Sequence, residues 1–168
     1  DLSLNSADFR CGERTFQLLT QAAGRAGRGE KPGEVIIQTY SPEQYSITCA
    51  ADQDYDSFYT QEMAYRQILH YPPVFQLLTV MIAAKEEPVL DQPAKEMRQW
   101  VKEMEEGADV ELIGPTEATV YKVHDIYRKI LYLKKKNYDI LIRIKDRLEE
   151  KVQEQSWNGK VMIQFDFA

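Results

Sequence analysis

Asn137-Tyr138-Asp139-Ile140-Leu141-Ile142-Arg143-Ile144-Lys145-Asp146-Arg147-Leu148-Glu149-Glu150-Lys151-Val152-Gln153 decides how the second half of this 168-residue chain folds. Ile140, Ile142 and Ile144 alternate as on a strand, whereas Leu141, Ile144, Leu148 and Val152 recur at helical spacing. The run is longer than an ordinary strand, and Asn137 is a good helix cap, so the reading is helix. Outward from it, residues 127–134 form an apolar and basic strand, and residues 161–167 form a closing strand after an Asn158-Gly159 turn. Further back lie an apolar strand at 75–84 and a helix at 91–106, with Ala94, Met97, Val101 and Met104 inward and Gly107 as its stop. A short strand at 110–113 ends at Gly114-Pro115, and a polar loop follows. The order is βαββαβ, which predicts an α+β domain: an antiparallel four-stranded sheet with two helices on one face.

Tyr71-Pro72-Pro73 marks the start of that domain, because proline cannot continue a helix and restricts the residue before it. The expected domains are therefore 1–70 and 71–168. In the first, residues 11–23 read as a helix with Phe16, Leu19 and Ala23 at helical spacing, ended by Gly24 and Gly27. Residues 35–40 read as a short strand. Ser41 caps a short helix with Pro42 at its first position. Asp54 opens a longer helix to about Leu69, with Phe58, Glu62, Tyr65 and Leu69 along one face.

With 43% apolar and 11% aromatic residues the chain can bury a core, and no run of 18 apolar residues spans a membrane. Asp1 in first place, without a charged-then-apolar leader, suggests an internal piece of a longer protein. Cys11 and Cys49 stand far apart with no C-x-x-C partner, which excludes a structural zinc site in this chain and suits a reducing cytoplasm; both read as small core filler. His70 and His124 have no metal-ligand or triad partner nearby in sequence. The net charge of −6 argues against a uniformly basic nucleic-acid binder, yet it is unevenly spread. Residues 85–118 hold ten acids and four bases, whereas residues 122–151 hold ten bases and five acids. Contact with DNA is expected at the second block. There Lys122, Arg128, Lys129, Lys134, Lys135, Lys136, Arg143, Lys145, Arg147 and Lys151 interleave with Tyr121, Tyr127, Tyr132 and Tyr138. Charges that follow a phosphate backbone, with rings that stack on bases, suit single-stranded or branched DNA. Lys134-Lys135-Lys136 is the sharpest candidate, with Tyr127, Arg128 and Lys129 beside it. Replacing the three lysines by alanine is expected to weaken DNA binding without unfolding the domain. The plainer reading is a solvated helix face and strand end, with the tyrosines in the core.

Residues 21–28 carry the chemistry: Gln21-Ala22-Ala23-Gly24-Arg25-Ala26-Gly27-Arg28. Glycines let a backbone turn sharply and approach a ligand, and arginines present planar forks of donors that match phosphate. Alone, the octet could equally be a helix stop with two solvated arginines. It resembles motif VI of superfamily 2 helicases, Q-x-x-G-R-x-G-R, and Gln21, Gly24, Arg25, Gly27 and Arg28 fill every fixed position.

The flanks extend the resemblance. Asp8-Phe9-Arg10, Glu13-Arg14, Thr15-Phe16-Gln17-Leu18-Leu19-Thr20 and Gly33-Glu34-Val35-Ile36-Ile37-Gln38-Thr39 are similar to the same stretch in the replication-restart helicases of the primosomal protein N′ (PriA) family. Gln61-Glu62, Arg66, Tyr71-Pro72-Pro73, Gly114-Pro115 and Tyr127-Arg128 also fall where that family has them. The likeness covers essentially the whole chain and is loosest after residue 85. It implies that residues 1–70 are the end of a RecA-like α/β helicase lobe, and that residues 71–168 are a ferredoxin-like domain similar to a small ribosomal-subunit protein. It implies a bacterial, cytoplasmic, nucleoid-associated 3′-5′ DNA helicase that hydrolyses ATP with magnesium and restarts replication at stalled forks through primosome assembly. Arg28 would then act on the γ-phosphate, Arg25 on a neighbouring phosphate or another contact in the cleft, and Gln21 would order the site or couple it to the DNA path, with Gly24 and Gly27 allowing close approach. Forked and single-stranded DNA, the single-stranded-DNA-binding protein and primosome proteins are the implied partners. The family's zinc module is not in this sequence. Nor is a G-x-x-x-x-G-K-[ST] phosphate loop or a D-E-x-H motif, so the piece alone should be inactive. A stand-alone nucleic-acid or protein-binding module, with no ATPase role, is the competing reading. The strand at 35–40, cut off from its sheet, is expected to pack on the second domain or to pair with another copy.

Overall fold

The computed structural model describes residues 4, 8–26, 34–157 and 159–168. The chain divides into two compact units, Asp1–Leu69 and His70–Ala168.

The first unit is three helices: α1 (Cys11–Ala26), α2 (Tyr45–Ala51) and α3 (Tyr55–Ile68). Phe16 of α1 stacks on Phe58 of α3 with ring centroids 4.2 Å apart, and Cys49 and Ala50 of α2 close a small core against them. Asp54 caps α3, its Oδ1 accepting from the Ser57 amide at 2.9 Å. Four local expectations change here. α1 runs through Gly24 to Ala26, because a single glycine lowers helix propensity without ending a helix. α2 begins at Tyr45 under Gln44, whose side chain takes the Ser46 amide at 2.8 Å, so Ser41-Pro42 forms a turn ahead of it. The buried face of α3 is Phe58, Glu62 and Arg66, while Tyr65 and Leu69 are exposed. Residues 34–39 form no strand. All four strands of the described residues lie between 76 and 167, and a β-rich sequence becomes a strand only where a neighbour offers a ladder.

The second unit is β1 (Gln76–Ala84), α4 (Asp91–Glu103), β2 (Glu111–Val123), β3 (Ile126–Lys135), α5 (Tyr138–Gln153) and β4 (Met162–Phe167). The sheet order is β2-β3-β1-β4 with every pairing antiparallel, which is the ferredoxin-like arrangement of βαββαβ. Leu78, Val80 and Ile82 of β1 and Leu131 and Leu133 of β3 meet Ala94, Met97 and Val101 of α4 and Leu141, Ile144 and Leu148 of α5 in one aliphatic core. Asn137 caps α5, its Oδ1 accepting from the Asp139 amide at 2.9 Å.

One correction is large. β2 does not stop at Gly114-Pro115 but continues to Val123, with register shifts between Ile113 and Thr116 and between Glu117 and Lys122. Gly114 makes this passage possible. Its φ is +98°, and a Cβ there would lie 2.6 Å from the Ile130 carbonyl oxygen. The expected polar loop is thus strand, closed by a tight turn in which His124 and Asp125 both have positive φ.

Candidate functional site

Gln21, Gly24 and Arg25 lie in the last turns of α1, and all three are exposed. Gly27 and Arg28 lie outside the described residues. Among the described residues, a Cβ on Gly24 would meet nothing within 4 Å, so their packing does not ask for a glycine there. Glycine in an open helical position costs about 1 kcal/mol against alanine, with no local return. The end of α1 is also the negative pole of the helix, so a phosphate there would be held by guanidinium charge and not by the helix dipole.

The first half of α1 is gripped by a polar chain. Tyr45 of α2 donates its hydroxyl to Glu62 Oε2 at 2.5 Å. Arg66 donates from Nε to Glu62 Oε1 at 2.7 Å and from Nη2 to Glu13 Oε2 of α1 at 2.8 Å. Glu62 is 5% exposed and Arg66 8%. Burial, the bond to Glu62 and its negative charge push the Tyr45 phenol well above its ordinary value. Burial alone would lower Arg66, but bonds to Glu62 and Glu13 outweigh it and hold the guanidinium protonated. Gly12 completes the fit, since a Cβ there would stand 2.7 Å from the Tyr45 hydroxyl and 2.9 Å from Glu62 Oε2. The sequence shows Glu62 and Arg66 at helical spacing. It does not show that they converge on Glu13, which is 53 positions from Arg66.

The basic block is distributed differently from its appearance in sequence. Strand alternation sends Tyr127, Lys129 and Lys135 to the helix-covered face of β3, and Arg128 and Lys134 to the other. Tyr127 packs against the core, edge-on to Tyr121. Lys129 pairs with Asp91, and Lys135 reaches the Asp109 carbonyl at 3.1 Å. Lys134 is 5% exposed, with its ammonium 4.0 Å from the centre of the Tyr71 ring and 3.8 Å from Glu111. Burial pulls its pKa down, and the Glu111 charge opposes this. Lys136 is exposed beside the Phe75 ring, and Arg128 is half-buried. On α5, Arg143 and Arg147 both reach Glu106, at 4.0 and 2.7 Å, and Lys145 pairs with Glu149 at 2.8 Å. The acidic and basic runs therefore largely neutralise each other in the fold. Of the lysine triplet only Lys136 offers its charge openly, and a triple alanine change would also remove the buried ammonium under Tyr71.

His70 bonds Glu111 through Nδ1 at 2.6 Å and stacks on Phe75, and His124 sits in the β2–β3 turn. Among the described residues, no three His, Cys, Asp or Glu side chains gather to hold a metal ion, and no helix is long and apolar enough to cross a membrane. An open cavity of about 550 Å³ lies at the sheet end between Lys85 and Lys160 and contains none of the sequence-derived site residues.

Residues 67–167 match the family described as Primosomal protein N C-terminal domain. The replication restart protein PriA of Bacillus subtilis is 39% identical over 166 residues, covering 99% of this chain and 20% of that protein. The protein of the same name from Synechocystis is 35% identical over 150 residues, covering 89% and 18%. That of Borreliella burgdorferi is 34% identical over 168 residues, covering 99% and 25%. The chain thus spans about a fifth to a quarter of the length of these relatives.

Proposed function

This chain belongs to the PriA family of replication restart proteins, and on that premise we propose that it is the C-terminal portion of an ATP-dependent 3′-5′ DNA helicase that binds branched DNA at stalled forks and restarts replication through primosome assembly. Residues 1–70 are then the end of the second helicase lobe, and residues 71–168 are an accessory domain for DNA and for primosome partners. The observation that carries the reading is the display of Gln21, Gly24 and Arg25 together on the exposed end of α1, where no described residue packs against Gly24.

ATP and its magnesium are held mainly by an opposing lobe with a phosphate loop, which this sequence lacks. The part played by this chain is electrostatic. Arg25 and Arg28 donate guanidinium N–H groups to phosphate oxygens, most strongly when negative charge develops in the transition state. Gln21 orients the arginines or links the site to the DNA path. Because these donors arrive from a separate lobe, hydrolysis depends on closure between lobes and so couples to movement along DNA. The chain alone does not hydrolyse ATP.

The test is DNA-stimulated ATP hydrolysis by the full-length protein. Arg28→Ala is expected to lower kcat roughly a thousandfold, the scale of an arginine finger. Arg25→Ala should lower it less. Undiminished turnover in an Arg25→Ala, Arg28→Ala protein overturns the reading. For DNA, Lys136 is the member of the triplet placed to meet a phosphate, and Lys136→Ala should reduce the salt slope of binding by about one.

A further inference from the structure

Within the first unit, two kinds of contact hold α1 against α2 and α3. One is the aromatic stack of Phe16 on Phe58, which resists separation and keeps the Phe16 side of α1 inward but sets the rotation less sharply than directed hydrogen bonds do. The other is the Glu13–Arg66–Glu62–Tyr45 chain, whose hydrogen bonds form only at one rotation of α1 about its axis. Apolar residues would hold the helices together as well or better, because charges taken out of water are expensive. Buried ion pairs are best attested as devices that fix register. Both Glu62 oxygens are engaged, Oε1 by Arg66 and Oε2 by Tyr45, so this carboxylate is not poised as an acid or a base.

We propose that this polar chain is a positioning latch: it sets the rotation of α1 and thereby aims Gln21 and Arg25 out of the unit. At about 100° per residue, Gln21 and Arg25 fall on the side of α1 opposite Gly12 and Phe16, the residues that face the latch and the stack. Gly12 leaves no slack, since its missing Cβ would stand 2.7 Å from the Tyr45 hydroxyl. A slip of one residue would swing the arginine side by more than a quarter turn. Glu13, Tyr45, Glu62 and Arg66 are positioning residues, and they touch no phosphate themselves.

This inference rests on the phosphate-contacting reading of the octet, and its test separates the two. In the full-length protein, Tyr45→Phe keeps the ring beside Phe58 but removes the hydroxyl. It should lower kcat for DNA-stimulated ATP hydrolysis roughly tenfold, as misaimed groups do, and leave KM for ATP within about twofold. Arg66→Met should lower kcat further. In a Gln21→Ala, Arg25→Ala, Arg28→Ala background, Tyr45→Phe should cause no additional loss, because the latch then has nothing to aim. A merely structural role would instead give the same fold-loss in both backgrounds, and that additivity would overturn the latch. So would an unchanged kcat in both Tyr45→Phe and Arg66→Met. If the double arginine variant itself turns over normally, the phosphate reading fails first, and the latch falls with it for a visibly different reason.

Discussion

The two units of this chain are held together by opposite means. The first has a small core of Phe16, Cys49, Ala50 and Phe58, and it buries an arginine and a glutamate beside it. The second buries Leu78, Ile82, Leu90, Leu131, Leu133, Leu141, Ile144 and Leu148 almost completely and keeps nearly all its ion pairs at the surface. Apolar burial gives stability that degrades gradually as atoms are removed. A buried charge network gives orientation and fails abruptly, because deleting one member strands the others. The unit that carries the octet uses the abrupt, directional kind.

The sharpest way to break this comparison is Arg66→Ala, which leaves Glu62 buried without its cation. A loss of about 3–5 kcal/mol is expected for such a stranded charge. The two tryptophans, Trp100 and Trp157, both belong to the second unit, so their fluorescence follows that unit alone. Urea unfolding of Arg66→Ala should show helical circular dichroism lost early and the tryptophan transition unmoved. Leu148→Ala is the counterpart in the second unit. It should cost about 3 kcal/mol through lost burial and a cavity, and move the tryptophan transition instead. If the tryptophan transition moves in Arg66→Ala, the units are not energetically distinct.

The same contrast explains which features could be read from the sequence. The second unit is an amphipathic pattern repeated on helices and strands, so Leu141, Ile144 and Leu148 declared α5 despite the competing isoleucine alternation, and Met97 and Val101 declared α4. Short-range caps were legible too, at Asp54 and Asn137, because the donor lies two or three residues away. Legibility ended where the partner is distant. Gly114-Pro115 looked like a strand end, since nothing local says that β3 lies alongside to carry the ladder through a bulge. Lys134 looked solvated, and its burial depends on Tyr71, 63 positions earlier. Val35-Ile36-Ile37 has strand composition but no ladder among the described residues. The octet was legible as a motif, and Arg25 and Gln21 stand exposed together, yet the latch behind them needs Glu13 and Arg66 in one place.

The caps give a finer test, one from each unit. Asn137→Ala should destabilise the second unit by about 1 kcal/mol. Asp54 does the same job with a group that titrates. Hydrogen bonds from the Ser57 side chain and backbone hold its pKa below the ordinary carboxylate range. Its contribution is therefore full above that range and is lost as the pH falls through the lower folded value. Thermal melts followed by circular dichroism should lose the Asp54→Asn difference in acid, whereas the Asn137→Ala difference should persist with little pH dependence.

The smallest effect belongs to the surface pairs, where the second unit carries most of its charge. Arg147 donates to Glu106 at 2.7 Å, but its side chain is 52% exposed, and Glu106 also has Arg143 within 4.0 Å. Coulomb attraction there is screened, and a long side chain loses rotamer freedom to hold the pair. Arg147→Ala should cost less than about 1 kcal/mol, and the difference should shrink further as salt is raised. A loss as large as that of Arg66→Ala would mean that ionic contacts in the second unit are also directional fasteners. The contrast between a unit built to aim a helix and a unit built to be stable would then fail at its cheapest point.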